Sequence, residues 1–379
     1  MQEPELVKRI HDTPRQFVLA IAGGGCRAVE SLLSVPGASN TIREVVVPYH
    51  EGAMARFLGY RPSHFCGEDI ARQMAITAFM RSREYGTDVP LGGIGCTAGL
   101  ATNRPRRGSH RIHVAIQTLE RTSVKSIELV KNARNRDEEE DVALRLILNV
   151  VAESAGLAER VPLPLFDEEH VVCGTAEAPE PWRRLLVGQT ECVPAEKAGT
   201  ERPRALLCGS FNPLHAGHRR MAAIATETLG IPVHFELTIQ NADKPPLDYL
   251  DLKQRLSAFA PDDQVWLTRA DIFARKAELF PRVVFVVGAD TMIRIGALRF
   301  YNNSEEQLQR AIRRFRENGC RFLVFGRRVG DHFESLRNLP IPPALSALCQ
   351  EVPESRFRYD ISSTYLREKS LGATTVTDV

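Results

Sequence analysis

The chain has no apolar run approaching the length of a membrane span, which excludes a helical membrane protein. Its eight cysteines include no Cys-x-x-Cys pair and no partnered His spacing. That excludes a disulfide framework or a zinc site and reads as reduced cytoplasmic thiols. A surplus of one charge is also missing. The 49 Lys and Arg against 47 Asp and Glu leave +2, so nothing global favours nucleic acid or a membrane surface as partner. The opening Met1-Gln2-Glu3-Pro4-Glu5 carries neither a basic nor an apolar stretch, so no signal peptide is expected. No internal repeat is visible. His110 and His113 fall at a strand entry, where a three-residue spacing points to opposite faces, so no metal pair is expected there.

What is present divides the chain. At 379 residues, two domains are expected. In the first half, an apolar strand Phe17–Ala22 runs into Gly23-Gly24-Gly25 and a helix through Leu33. Strands follow at Val45–Val47, Leu91–Thr97 and Ile112–Gln117, with an amphipathic helix over Ile70–Met80. Thr122–Ala155 reads as one long helical pattern interrupted by the charged run Arg134–Asp141. The glycine turn suits a nucleotide phosphate and a plain strand-to-helix turn equally well. Residues 161–202 are rich in Pro and Gly and read as a linker with a short ordered piece around Trp182–Val187.

The second half, 203–379, alternates strand and helix: strands at Ala205–Cys208, Val233–Ile239, Val265–Thr268, Val283–Val287 and Arg321–Phe325, and a helix over Asp248–Phe259. That alternation predicts a parallel, doubly wound sheet with ligands at the carboxyl ends of its strands. Its centre is Cys208-Gly209-Ser210-Phe211-Asn212-Pro213-Leu214-His215-Ala216-Gly217-His218. A strand enters a Gly-led turn and a helix opens at His215, so the two imidazoles, three residues apart, share the face beside the helix's free N–H groups. Such a helix start is suited to an anion, phosphate above all.

This stretch resembles the Gly-x-Phe-[Asp/Asn]-Pro-x-His-x-Gly-His signature of the nucleotidylyltransferase superfamily. About 150 residues on, Ile361-Ser362-Ser363-Thr364-Tyr365-Leu366-Arg367 looks like the same family's Ile-Ser-Ser-Thr-x-x-Arg motif. Both look most like the nicotinamide or nicotinate mononucleotide adenylyltransferases. The resemblance implies an α/β fold of two α/β domains, the C-terminal one a doubly wound, Rossmann-like parallel sheet of the nucleotidylyltransferase type. It also implies that His215 and His218 contact the triphosphate, as do Ser362, Ser363 and Thr364 at a helix start. Arg367, with its fork of donors, would clamp the β- or γ-phosphate. Gly209, Ser210 and Phe211 would meet the nucleotide by backbone, Lys244 would hold phosphate as a point charge, and Asp290 would sit in the family's Gly-Ala-Asp turn. For Lys244 an exposed loop lysine is the plainer alternative, for Asp290 a helix N-cap, and for Trp266 a core role instead of base stacking.

A second resemblance covers roughly residues 15–155, within a first domain expected over 1–160. Leu32-Leu33-Ser34-Val35-Pro36-Gly37-Ala38-Ser39, Val45-Val46-Val47-Pro48-Tyr49 and Gly95-Cys96-Thr97 are similar to the CinA C-terminal family, whose members hydrolyse the amide of nicotinamide mononucleotide. The family's nucleophilic Ser precedes the paired glycines; here Val18–Ala22 offers no Ser, Thr or Cys. Tyr49 matches, Met54 replaces a Lys, and Ala101–Gly108, with Arg104, Arg106 and Arg107, replaces a Gly-rich loop. An amidase-like domain without amidase activity is expected. Cys26 and Cys96 are the substitute nucleophiles to weigh against a packing role.

The expected activity is transfer of the adenylyl group of ATP to nicotinamide or nicotinate mononucleotide, with Mg2+ held mainly by the phosphates and no dedicated metal site. The alternatives are cytidylyl or adenylyl transfer to another phosphate acceptor, and a non-catalytic nucleotide sensor. Partners are small-molecule nucleotides, and homo-oligomerisation is left open.

Overall fold

The structure is a computed structural model that describes residues 1–103, 108–195, 201–240, 245–329 and 332–357. The chain forms two units. One comprises Met1–Arg183 with Asn241–Lys253, the other Arg184–Gln240 with Gln254–Val379.

The first unit is built on a sheet of six strands. They are β1 (Gln16–Ala22), β2 (Ile42–Val46), β3 (Leu91–Gly99), β4 (His110–Thr118), β5 (Arg121–Leu129) and β6 (Val172–Glu177), in the order β2-β1-β3-β4-β5-β6. β1 runs parallel to β2 and β3, and the pairs from β3 to β6 are antiparallel. Phe17–Ala22 is buried throughout, as a strand paired on both edges and covered on both faces should be. The helix Glu68–Glu84 lies directly on β3. A Cβ at Gly93 would come within 2.1 Å of the Phe79 amide nitrogen, and one at Gly95 within 2.1 Å of the Ala71 carbonyl oxygen. Only glycine permits that approach.

Two expectations need correction here. Thr122–Ala155 is not one helical stretch. Arg121–Leu129 is β5, hairpinned onto β4, and the helix is Arg136–Ser154. The break is Asn135, whose side chain accepts from the Asp137 and Glu138 amides while Glu138 caps the Asn135 amide in return. The charged run is therefore the first turn of a helix, where acidic residues meet its positive end. Residues 161–202 are not simply a linker either. They contribute β6 to the first sheet, a helix Glu180–Leu186, and β7 (Cys192–Pro194) to the second.

The second unit is built on a sheet of seven strands in the order β15-β12-β11-β8-β9-β10-β7. β8 is Ala205–Gly209, β9 Val233–Thr238, β10 Val265–Thr268, β11 Val284–Gly288, β12 Arg321–Phe325 and β15 Cys349–Val352. A separate hairpin pairs β13 (Arg327–Val329) with β14 (His332–Glu334). All neighbours in the large sheet are parallel except β7, which runs antiparallel along the β10 edge. From β8 the chain winds outward to β9 and β10, then returns to β11 on the other side. The order reverses between β8 and β11, the place where open α/β sheets take ligands. One core is aromatic: Phe285 and Phe322 lie 5.5 Å apart, with Phe273 and Phe315 against them.

Among the described residues, no helix is long and apolar enough to cross a membrane. All eight cysteines are free thiols.

Candidate active site

β8 ends at Gly209, and the chain must then turn sharply to start the helix Ala216–Leu229. Phe211 sits in the left-handed region at φ +44° with its ring fully buried. That ring meets His218, Phe235 and Phe259 edge-on at 5.1, 5.6 and 5.3 Å. Burial of this one side chain fixes the turn, and it explains Gly209: a Cβ there would press on the Phe211 ring at 3.0 Å. The Ser210 carbonyl accepts from Arg255 Nη1 at 2.9 Å.

His215 is the N-cap of the helix and His218 its third residue. His215 Nδ1 accepts from the Gly217 amide at 3.1 Å, and His218 Nδ1 accepts from the His215 amide at 3.3 Å. The rings stack, with centroids 3.8 Å apart and planes 27° from parallel. Because each Nδ1 receives a backbone N–H, neither can carry a proton in the neutral ring; the proton resides on Nε2. Burial lowers the pKa of His215, and burial followed by the neighbouring His215 pushes His218 down to about 4. Both imidazoles are neutral at pH 7 and present one Nε2–H each at the positive end of a 14-residue helix. Two fixed donors of this kind stabilise charge on phosphate oxygens with little reorganisation.

Asp290 follows the end of β11, the strand beside β8, in the first turn of the helix Ala289–Gly296. It is not the N-cap, which is Gly288, and its carboxylate accepts from Arg327 of β13. The turn Gly209–Phe211, the two histidines and Asp290 thus stand at the carboxyl ends of adjacent parallel strands. Trp266 belongs to the core: its Nε1 donates to His234 Nδ1 at 3.2 Å and its ring lies edge-on to Phe280. Lys244, Ser362, Ser363, Thr364 and Arg367 lie outside the described residues, as do Arg104, Arg106 and Arg107.

Under the turn lies a buried network that the sequence reading missed. Glu236 of β9 accepts from Thr268 and Thr238 at 2.5 and 2.8 Å and from Lys276 Nζ at 2.5 Å, and Lys276 also donates to Thr238 at 2.7 Å. Glu236 is fully buried and Lys276 nearly so. Burial disfavours the Lys276 ammonium, but Glu236 opposes it and the pKa ends raised. The signal available in sequence was a carboxylate set between Phe235 and Leu237 of an interior strand, which demands a partner.

In the first unit the glycine turn is bonded within the chain at two points. Glu140 Oε1 accepts from the Gly25 amide at 2.8 Å and the Arg27 amide at 3.3 Å, and Arg136 donates to the Gly23 carbonyl at 2.7 Å. Of the three glycine amides considered for a phosphate, that of Gly25 holds the chain's own carboxylate. Cys96 is fully buried and its thiol pKa is driven up by burial; Cys26 is raised too, by burial and then by Glu140. Neither is an activated nucleophile.

Comparison with known proteins adds the following. No curated protein matches the chain. Among solved structures, competence/damage inducible protein CihA from Agrobacterium tumefaciens is similar at 17% identity, covering 40% of this chain and 94% of that one, with a TM-score of 0.32. A CinA superfamily protein from Escherichia coli gives 16% identity over 40% of this chain and 90% of its own, TM-score 0.31. Competence damage-inducible protein A from Klebsiella pneumoniae gives 16% identity over 42% and 100%, TM-score 0.34. A family model described as cytidylyltransferase-like matches residues 206–369, the part of the chain that carries the stacked histidines, and that part is similar to nucleotidyltransferases.

Proposed function

We propose that the 206–369 segment transfers the adenylyl group of ATP to nicotinamide or nicotinate mononucleotide, giving NAD or its nicotinate analogue and pyrophosphate. The reading is carried by the pair of neutral imidazoles, each locked as an Nε2–H donor by a backbone N–H, at a helix start on the switch point of the sheet.

In this reaction an oxygen of the acceptor's phosphate attacks the α-phosphorus of ATP. The bond from that phosphorus to the bridging oxygen of the β-phosphate breaks, and pyrophosphate leaves with the electron pair. The protein's task is alignment and charge stabilisation. His215 and His218 donate to triphosphate oxygens through Nε2–H, and the amides of Gly209–Phe211 line the same phosphates. Neutral donors suit the task, because two stacked cations 3.8 Å apart would repel each other. In this reading Lys244, Ser362, Ser363, Thr364 and Arg367 supply the remaining phosphate contacts, and Asp290 faces the nucleoside. Among the described residues, no group of three or more His, Cys, Asp or Glu is placed to hold a metal. In this reading Mg2+ would arrive on the triphosphate and would offset charge on the departing pyrophosphate.

The test is incubation of the full chain with Mg2+, ATP or CTP, and a panel of phosphate acceptors that includes both pyridine mononucleotides. Dinucleotide and pyrophosphate in equal amounts support the proposal. Turnover only with CTP, to which the cytidylyltransferase-like match lends weight, or only with another acceptor, replaces the substrate assignment. Tight nucleotide binding without turnover makes the segment a sensor.

A further inference from the structure

Two helices are divided between the units, Glu180–Leu186 and Tyr249–Leu256; in the latter the residues up to Lys253 fall in the first and those from Gln254 in the second. The connection from β9 to β10 therefore leaves the second unit and returns to it. Within the first unit its start is held firmly. Arg72 Nη1 donates to both carboxylate oxygens of the buried Asp248 at 2.8 Å. Asp248 Oδ1 in turn caps the helix, accepting from the Leu250 and Asp251 amides at 2.9 and 3.0 Å. The Tyr249 amide donates to Thr122 Oγ1 at 3.0 Å, its hydroxyl donates to the Leu119 carbonyl at 2.9 Å, and Leu250 packs on Ala71, Ala75, Ala115 and Val124.

Within the second unit, the other end of the same helix touches the turn that presents the histidines. Arg255 donates to the Ser210 carbonyl at 2.9 Å. Phe259, three residues past the helix end, packs edge-on against the buried Phe211 ring at 5.3 Å. Arg219, in the histidine helix, donates to the Ala258 carbonyl at 3.1 Å and to the Asp263 carboxylate. Every contact lies inside one unit. What joins the two sets is the covalent backbone of two helical turns, which transmits displacement because a helix is stiff along its axis.

We propose that the first unit sets the geometry of the Gly209–His218 turn through this helix, with Asp248 and Tyr249 as the anchor and Arg255 and Phe259 as positioning residues. This gives an amidase-like unit without a nucleophile a task in nucleotidyl transfer. The activity arm of the test rests on the transferase reading; the exchange arm does not.

The experiment is hydrogen exchange on the full chain, with and without ATP and Mg2+, beside steady-state kinetics. The variants are R72M/D248N, which removes both charges at the anchor and leaves a capping side chain, and R255M and R255K at the far end. In R72M/D248N the amides of 249–252 and of 209–218 should exchange about 10-fold faster, as for local opening of a linked segment. R255M should loosen 209–218 while leaving 249–252 protected, and R255K should restore most of that protection. Misplacement of the turn should raise the KM for ATP by roughly 10-fold in R255M, with a smaller change in kcat. Loosening of 249–252 in R72M/D248N with 209–218 unchanged overturns the proposal, as does wild-type exchange at 209–218 in R255M. If the double variant loses its fold, seen as exchange throughout β3, Tyr249→Phe carries the same test, and there too an unchanged 209–218 overturns it. Should no acceptor be turned over by the wild type, the transferase reading fails while the exchange data still decide the coupling.

Discussion

His218 performs two separable tasks, and two substitutions divide them. Its Nδ1 accepts the His215 amide at 3.3 Å, a capping bond, while Nε2–H is the donor proposed for the triphosphate. Asparagine places a carbonyl oxygen near the position of Nδ1 and nothing at Nε2. Glutamine carries an amide nitrogen that reaches the position of Nε2 and an oxygen that can turn back to the His215 amide, as Glu138 does to that of Asn135. Both lose the edge contact with Phe211, which costs about 0.5–1.5 kcal/mol. Each variant keeps an oxygen able to accept the His215 amide, so the two should lie within about 1 kcal/mol of each other in urea denaturation. In catalysis they should separate. Loss of one preorganised donor to developing charge lowers turnover by about 10²- to 10³-fold, so His218→Asn should fall that far in a pyrophosphate-release assay with ATP and the mononucleotide. His218→Gln, keeping a donor with poorer aim, should lose roughly 10-fold. Near-wild-type turnover in His218→Asn, or equal losses in the two variants, would refute the assignment of the Nε2–H donor.

Other outcomes follow from the same coordinates. Proton NMR of the histidines should show His218 neutral down to about pH 4; unfolded His titrates near 6.5, so the ring contributes stability above that value that is lost as pH falls from about 6.5 toward 4. A His218 resonance titrating at or above 6.5 would contradict the buried, capped ring. Lys276→Met leaves Glu236 charged and unpaired in the sheet and should destabilise the second unit by about 3–5 kcal/mol, whereas Lys276→Met with Glu236→Leu should recover most of that loss in chemical denaturation. The full chain should release no ammonia from nicotinamide mononucleotide, since the strand before the glycine turn ends in buried Ala20, Ile21 and Ala22 and both nearby thiols have raised pKa values. Steady ammonia release that Cys26→Ala abolishes would overturn this.

How far the sequence could be read depended on which force dominates locally. β10 and β12 fall where their apolar runs put them, because central strands buried on both faces need little but continuous hydrophobicity. The helix that opens at His215 was legible from the strand and Gly-led turn before it, and its cap is a histidine side chain instead of the usual Ser or Asp. β15, with Cys349, Gln350 and Glu351 ahead of its one buried residue Val352, shows no pattern of its own. It is an edge strand formed because β12 offers free backbone groups. β6 and β7 escaped notice for the same reason, as edges rich in Gly, Pro and polar residues. Arg121–Leu129 was misread because its apolar residues fit a helical spacing as well as an alternation, and only pairing with β4 decides between them. In the site, the histidine pair was visible from spacing, but Arg255, Glu236 and Lys276 act across distances in sequence that spacing does not register.

The carboxylate of Glu140, bonded into the glycine turn of the first unit, has a consequence for how that turn keeps its shape. An amide that bonds a free anion is ordered by mass action and loosens as the anion is withdrawn. Glu140 is tethered to the helix Arg136–Ser154, so its bonds to the Gly25 and Arg27 amides persist at any concentration of solute.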